Sequence, residues 1–332
     1  MEIVFIHLNT RLPSYLCWNL KAHIEKFPQH KVTLIHSAGQ RMPSIEGLTL
    51  VPAMEDARWQ ELDSLYTHPK EFRSNFWLTS SARLFALENY ITSTQQELIH
   101  VESDVILSPD FPFSRFSGLG KGLAFPLISD SRGVASVVYL RDTKAANLLT
   151  STLISEARKN DQTTEMLSLK KVYESSPTKV CILPIGNSNP NFYRNIAEAQ
   201  LIEIMSNFRI FGGIFDGVEI GQFFLGTDPR NRRGKQLIRH DLVDGYINIK
   251  SLKLDHDTKR RFINVVSKDN NNVEPLYAVH VPSKEVKFFK SKTQDKALRH
   301  MCLESTNGAK TKLSFTAVTL GILKSILRRV SK

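Results

Sequence analysis

The chain has little that could tie it together covalently. Its 332 residues include only three cysteines, Cys17, Cys181 and Cys302. They lie far apart and in no metal-type spacing, which excludes a disulfide framework and suits a reducing compartment. No apolar run reaches the roughly 18 residues that a spanning helix requires. Met1 to Leu8 lacks a basic region ahead of its apolar stretch, so no export signal is expected and a cytoplasmic location is inferred. The loop after the first apolar run, in IHLNTRLPSY, contains no glycine. That argues against the Gly-rich phosphate loop of a nucleotidyltransferase. No internal repeat is present.

Net positive charge is nearly absent from most of the chain. The total is +11, but Lys284 to Lys332 carry twelve Lys and Arg against three Asp and Glu, a net +9, leaving +2 for the 283 residues before them. Charge gathered at one end belongs to a tail and not to the fold. From Leu313 to Val330 the pattern is helical: Phe315, Leu320, Ile322, Leu323, Ile326, Leu327 and Val330 fall on one half of a helical wheel, opposite Lys324, Arg328, Arg329 and Lys332. This is the pattern of an interfacial amphipathic helix, and an anionic membrane surface is the expected partner. A terminal helix packed on the main domain would explain the apolar stripe but not the charge. The tail has no aromatic interleaving and matches no nucleic-acid module, so nucleic acid is not an expected partner.

The rest of the chain alternates strand-like and helix-like stretches. Glu2 to Leu8 and Lys31 to His36 read as buried strands, with a helix over Pro13 to Phe27 between them. Strand, helix and strand over about 36 residues form a βαβ unit and imply parallel pairing. Further helices are expected at Phe76–Ser93, Asp142–Lys159 and Phe215–Leu225. Further strands are expected at Glu97–Leu107, Leu123–Pro126, Ala135–Leu140, Val180–Pro184 and Leu276–Val281. Ser267 to Asn272 reads as a surface loop. The expectation is one α/β domain over residues 1–290, a mixed and mostly parallel sheet flanked by helices, followed by a basic tail over 291–332.

The most informative chemistry is Glu102-Ser103-Asp104, within HVESDVILSPDFPF. On a regular strand residues i and i+2 point the same way, and ligands bind at the carboxyl ends of strands in open α/β sheets. Two carboxylates there can hold a hard divalent cation, which can neutralise a diphosphate leaving group. Solvated acids at a strand end would look the same.

Apolar strand, acid-x-Asp, apolar residues and proline resemble the DxD element of GT-A glycosyltransferases. FRSNFWLTSSARLFALENYI followed by HVESDVIL resembles bacterial cell-surface glycosyltransferases with "FW…R-F…HIE-x-D" patterns. GGIFDGVEIGQFFLGTDPRN and LYAVHVPSKEVKFF resemble two later segments of the same enzymes, the second their "His-x-x-Ser-Lys" strand and turn. The resemblance covers about residues 1–290. It implies a GT-A-like fold, a divalent metal (Mn²⁺ or Mg²⁺) on Glu102, Asp104 and His280, and a diphosphate contact through Lys284. It further implies hexosyl transfer from a nucleoside-diphosphate sugar, UDP-linked by expectation, to an oligosaccharide or lipid-linked glycan of lipopolysaccharide or capsule. The work would be done on the inner face of the cytoplasmic membrane.

Other residues are weaker candidates. Ser283 and Lys284 could donate to phosphate oxygens. Arg83, amid apolar helical positions, needs a partner, either the nucleotide or the acids at 102 and 104. Asn9, Arg11 and His36 follow the first two strands, where a base and ribose would rest, although ordinary loop polarity explains them equally well. Asp161 or Asn160 is expected to cap a helix, with Glu165 one turn on from Asp161, and Asp216 stands between Gly213 and Gly217. Asp161, Glu165 and Asp216 are the candidate catalytic or acceptor-orienting carboxylates. A non-catalytic sugar-nucleotide-binding protein and a metal-dependent nucleotidyltransferase remain as alternatives.

Overall fold

The computed structural model describes residues 1–286 except Thr10, Arg41, 229–240 and Arg261; the basic tail and its expected helix lie outside the described residues. The strands are β1 (Glu2–His7), β2 (Val32–His36), β3 (Leu48–Pro52), β4 (Leu98–Val101), β5 (Val105–Leu107), β6 (Leu123–Ser129), β7 (Arg132–Gly133), β8 (Val137–Leu140), β9 (Val180–Leu183), β10 (Ile214–Phe215), β11 (Leu252–Asp257), β12 (Phe262–Ser267) and β13 (Val273–His280). The helices are α1 (Ser14–Lys26), α2 (Ala57–Leu65), α3 (Phe76–Thr94), α4 (Phe113–Ser117), α5 (Thr143–Lys159), α6 (Glu165–Ser175), α7 (Glu198–Phe211) and α8 (Glu219–Leu225).

Two sheets result. The large one runs β3-β2-β1-β4-β8-β6-β7, with β9 also on β6. β1, β2, β3 and β4 pair in parallel, as do β6 and β9, while β8 runs antiparallel between β4 and β6. This mixed, mostly parallel sheet flanked by helices is the α/β arrangement expected from the sequence. Its strands are apolar on both faces because both are covered. Along β1, Val4 and Ile6 join the core cluster that also holds α3 and α5 residues, while Ile3 and Phe5 join the opposite cluster with Leu16 and Leu20 of α1. Asp142 caps α5, its carboxylate accepting the Ala145 amide at 2.9 Å.

The expected strand over Glu97–Leu107 is in fact two. β4 ends at Val101, the chain turns through Glu102–Asp104, and β5 enters the second sheet. That sheet runs β10-β13-β12-β11, with β5 also on β13. The acids therefore do not sit on a regular strand, and the alternation that was expected to align them does not operate. A turn at the junction of the two sheets aligns them instead. The expected helix over Phe215–Leu225 divides similarly, into β10 and the shorter α8.

β13 and α8 meet at Gly221, where a Cβ would stand 1.6 Å from the His280 carbonyl oxygen. No side chain fits there without moving one of the two elements. Gly221→Ala is expected to destabilise the protein by about 3 kcal/mol or more, read as a fall in the midpoint of thermal unfolding. A midpoint unchanged from wild type would contradict this packing.

Candidate metal and diphosphate site

The site is built around the turn that joins the sheets. β1, β2 and β4 are parallel, so His7, His36 and Glu102 lie at one edge of the large sheet. The turn is held from three sides. The Glu102 amide donates to Ser136 at 3.1 Å and the Val105 amide to Glu102 at 3.0 Å. Asn19, fully buried on α1, donates its side-chain amide to the carbonyls of Ser103 at 3.0 Å and Val105 at 2.8 Å.

Register then delivers the histidine. β5 and β13 pair antiparallel with His280 opposite Val105, and the Val281 amide donates to the Asp104 carbonyl at 2.8 Å. The imidazole consequently meets the acids from the other sheet. Its Nε2 lies 3.2 Å from Asp104 Oδ2 and 3.7 Å from Glu102 Oε2. One ligand atom each from Glu102, Asp104 and His280 can be chosen so that all lie within 4.8 Å of one another.

The donor set fits a divalent cation. His280 Nδ1 donates to the Gly217 carbonyl at 2.7 Å, which in the neutral ring leaves the lone pair on Nε2, aimed at the carboxylates. Metal-ligating histidines are usually oriented by such a bond. Two carboxylates and one imidazole suit Mn²⁺ or Mg²⁺, the nitrogen favouring Mn²⁺.

Cations surround the acids. Arg83 donates to Glu102 at 2.8 Å and lies 3.6 Å from Glu165, while Lys284 contacts Asp104 directly. Burial works to raise the pKa of Asp104, but Lys284 and His280 overcome it and hold the carboxyl well below the usual range. Burial likewise opposes ionisation of Glu102, and Arg83 and His280 together overcome it and hold its pKa below the usual value. For His280, burial lowers the pKa, yet Asp104 and Glu102 prevail and raise it to about 9. Glu165 is shifted upward, chiefly by burial. A further charge pair borders the cluster, Arg73 to Asp228 at 3.2 Å, with Lys284 Nζ 3.9 Å from the same Asp228 oxygen. Arg73, Ser74 and Asn75 all have positive φ (50°, 57° and 62°), a left-handed run that L residues adopt at some energetic cost.

Ser283 is buried, and its Oγ has no hydrogen-bond partner among the described residues. A buried hydroxyl without a partner is costly, and a phosphate oxygen would satisfy it.

The remaining candidates divide. Glu165 joins the cluster, its carboxylate also accepting the Ser80 hydroxyl at 2.9 Å. Asp216 is withdrawn as a catalytic carboxylate. It is wholly buried and accepts the amides of Ile220 at 3.0 Å, Gly221 at 2.8 Å and His280 at 3.1 Å, so it fastens α8 to β13. Asp161 is not a helix cap. α6 begins at Glu165 with Thr164 capping it, and Asp161 is an exposed loop residue whose carbonyl takes the Thr67 amide. Asn9 and Arg11 are exposed at the sheet edge, and the Arg11 carbonyl bonds the His7 ring at 2.8 Å. His36 is half-buried, with Nδ1 on the Ser37 carbonyl at 2.9 Å.

Asp228, Asn19 and Tyr15 escaped the sequence reading. Asp228 lies in the GTDPRN stretch quoted above, but nothing local marks it. The Tyr15 hydroxyl is 3.4 Å from Ser103 Oγ, and its ring lies under the Lys284 ammonium, 5.5 Å from the centroid.

No protein-family model matches the chain, and no curated protein matches it. Among solved structures it resembles the galactosyltransferase LgtC in complex with donor and acceptor sugar analogs. Identity is 12% and the TM-score 0.44, over 93% of this chain and 98% of that one. It also resembles PaToxG glycosyltransferase (12%, TM-score 0.38, 64% and 78%) and mouse xyloside xylosyltransferase 1 in its apo form (7%, TM-score 0.38, 63% and 92%). These likenesses are too distant to assign an activity.

Nε2 of His280 has to lose its proton before it can ligate. Mn²⁺ affinity is therefore expected to fall as pH drops below about 9, by roughly tenfold per unit for one released proton. The same shift stabilises the metal-free fold fully below pH 6.5 and is lost as pH rises through about 9. Mn²⁺ titrations from pH 6.5 to 9 measure the first effect, and thermal unfolding in chelator the second. Affinity independent of pH would contradict the ligand role.

Proposed function

We propose that the protein is a metal-assisted glycosyltransferase that moves a hexose from a nucleoside-diphosphate sugar, most simply a UDP-sugar, to a glycan acceptor. The observation that carries this reading is the juxtaposition of the Glu102–Asp104–His280 donor set with Ser283 and Lys284, at the carboxyl edge of a parallel sheet. An acid pair alone is common. An acid pair with an oriented imidazole, an unpartnered hydroxyl and a half-buried ammonium suits a divalent cation together with a diphosphate.

In this reading Glu102, Asp104 and His280 would hold Mn²⁺ or Mg²⁺, which when bound would supply charge neutralisation for a departing diphosphate. Ser283 donates its hydroxyl to a phosphate oxygen, and Lys284 adds a charge-assisted bond. Arg83 fixes the Glu102 and Glu165 carboxylates. Glu165 is the remaining candidate for orienting a sugar hydroxyl, because Asp216 is spent on main-chain amides and Asp161 is an exposed loop residue. Asn9, Arg11 and His36, at the edge where β1 and β2 end, are the proposed neighbours of the base and ribose.

The acceptor is proposed to be a bacterial surface glycan or its lipid-linked precursor, handled on the inner face of the cytoplasmic membrane. The family-like segments at 72–107, 212–231 and 276–289 support this, as does the basic amphipathic pattern of the tail. No helix among the described residues is long and apolar enough to cross a membrane, and the tail is proposed to lie on the surface.

Hydrolysis of a panel of sugar nucleotides with Mn²⁺ or Mg²⁺ tests the activity. Turnover is expected with at least one donor and should stop with chelator. Asp104→Asn should lower it by about a thousandfold or more, the scale of losing a principal charge-stabilising group, while the circular dichroism spectrum persists. Metal-independent turnover, or full activity in Asp104→Asn, would sink the reading. A chain ending at Thr311 should keep activity on soluble acceptors and cease to sediment with anionic liposomes. Equal sedimentation with and without the tail would remove the membrane role.

A further inference from the structure

Asp104 Oδ2 is in direct contact with the Lys284 ammonium and also lies 3.2 Å from His280 Nε2. That oxygen belongs to the proposed donor set, so the ammonium occupies space that a coordinated cation would need. Lys284 is well placed for this. The Asp104 and Lys284 side chains are 7% and 22% exposed, and a buried carboxylate with no counter-charge is strongly disfavoured.

We propose that Lys284 is an intramolecular stand-in for the divalent cation, and that the exchange between them makes metal and diphosphate bind cooperatively. This rests on the glycosyltransferase reading and deepens it. A cation arriving alone has to evict the ammonium from Asp104. The evicted group then meets Asp228, 3.9 Å away and already paired with Arg73 at 3.2 Å, and the unpartnered Ser283 hydroxyl, neither of which replaces a full counter-charge. A diphosphate arriving alone has to draw Lys284 away and leave Asp104 exposed to Glu102 without its cation. When both arrive, the cation neutralises the acids and the phosphates receive the ammonium. Each ligand supplies what the other's binding removes, and such coupling is reciprocal. Lys284 sits in a left-handed conformation (φ 63°), at a turn closed by its amide on the Val281 carbonyl at 2.8 Å. The backbone is thus held at this turn, so the exchange needs a movement of the long side chain alone.

The test is calorimetric titration with Mn²⁺ alone, UDP alone, and each in the presence of the other. In the wild type, saturating UDP is expected to tighten Mn²⁺ binding by about tenfold or more, within the usual range of coupling between sites. Lys284→Met should bind Mn²⁺ alone about tenfold more tightly than wild type, since removing one full positive charge at this range is a large effect. The tightening by UDP should shrink at the same time. A general loss of positive field would tighten Mn²⁺ equally with and without UDP and leave that ratio unchanged, and this result would overturn the proposal. So would Mn²⁺ binding in Lys284→Met that is no tighter than in wild type. Lys284→Arg, which keeps the charge and should fold as wild type does, is expected to retain the weak metal-only binding; if it too tightens Mn²⁺, the proposal fails. A wild type that binds neither Mn²⁺ nor UDP would instead refute the underlying functional reading.

Discussion

The antiparallel pairing of β5 with β13 sets what the acid turn can do. Asp104 and His280 are 176 residues apart in the chain. They become neighbours because His280 is registered opposite Val105 and the Val281 amide closes on the Asp104 carbonyl. A slip of one residue would turn the imidazole to the other face of the small sheet. Several contacts oppose that slip: α8 lies against the His280 carbonyl at Gly221, Asp216 accepts the His280 amide, and the Gly217 carbonyl holds its Nδ1. The glycine-flanked acid that resembled a catalytic group is thereby explained as a clamp on the strand that carries His280.

Charge balance is the second constraint. Glu102, Asp104, Glu165 and Asp228 form one contiguous set with Arg73, Arg83, His280 and Lys284. Few of these groups could be buried singly. Together they form a network in which four acids face four basic groups, each charge meeting an opposite one. The network is also a strained one: the left-handed run at Arg73–Asn75 presents Arg73 to Asp228 and leads directly into α3, which carries Arg83. Strain of this kind persists where the surrounding structure over-determines it.

Much of this was legible in the sequence. The βαβ opening, the helices over α1, α3 and α5, and the acid pair all follow from apolar spacing and the polarity of strand ends. The break between β4 and β5 was not, because ELIHVESDVIL is apolar on both sides of the acids and gives no sign that the chain changes sheets there. Helix α7 was missed for a related reason. Ile202 and Ile210 stand 60% and 42% exposed on it and blur the boundary of its apolar face. The cap expected at Asp161 falls instead on Thr164, since the chain spends three more residues in the loop. Strand β11 is as long as β1, but in LKLDHD only Leu252 and Leu254 are apolar, too brief an alternation to mark a strand. Asp216 shows a deeper limit, because whether an acid serves a substrate or three main-chain amides depends on which elements fold around it.

The central claim is that Glu102, Asp104 and His280 bind one divalent cation together. Pulsed electron paramagnetic resonance of bound Mn²⁺ tests it most directly, because it reports imidazole nitrogen in the coordination sphere. A single bound Mn²⁺ should show histidine nitrogen coupling that disappears in His280→Gln, while the coupling persists when the neighbouring His7 or His36 is replaced. Mn²⁺ that shows no nitrogen coupling, or coupling that survives in His280→Gln, would contradict the account.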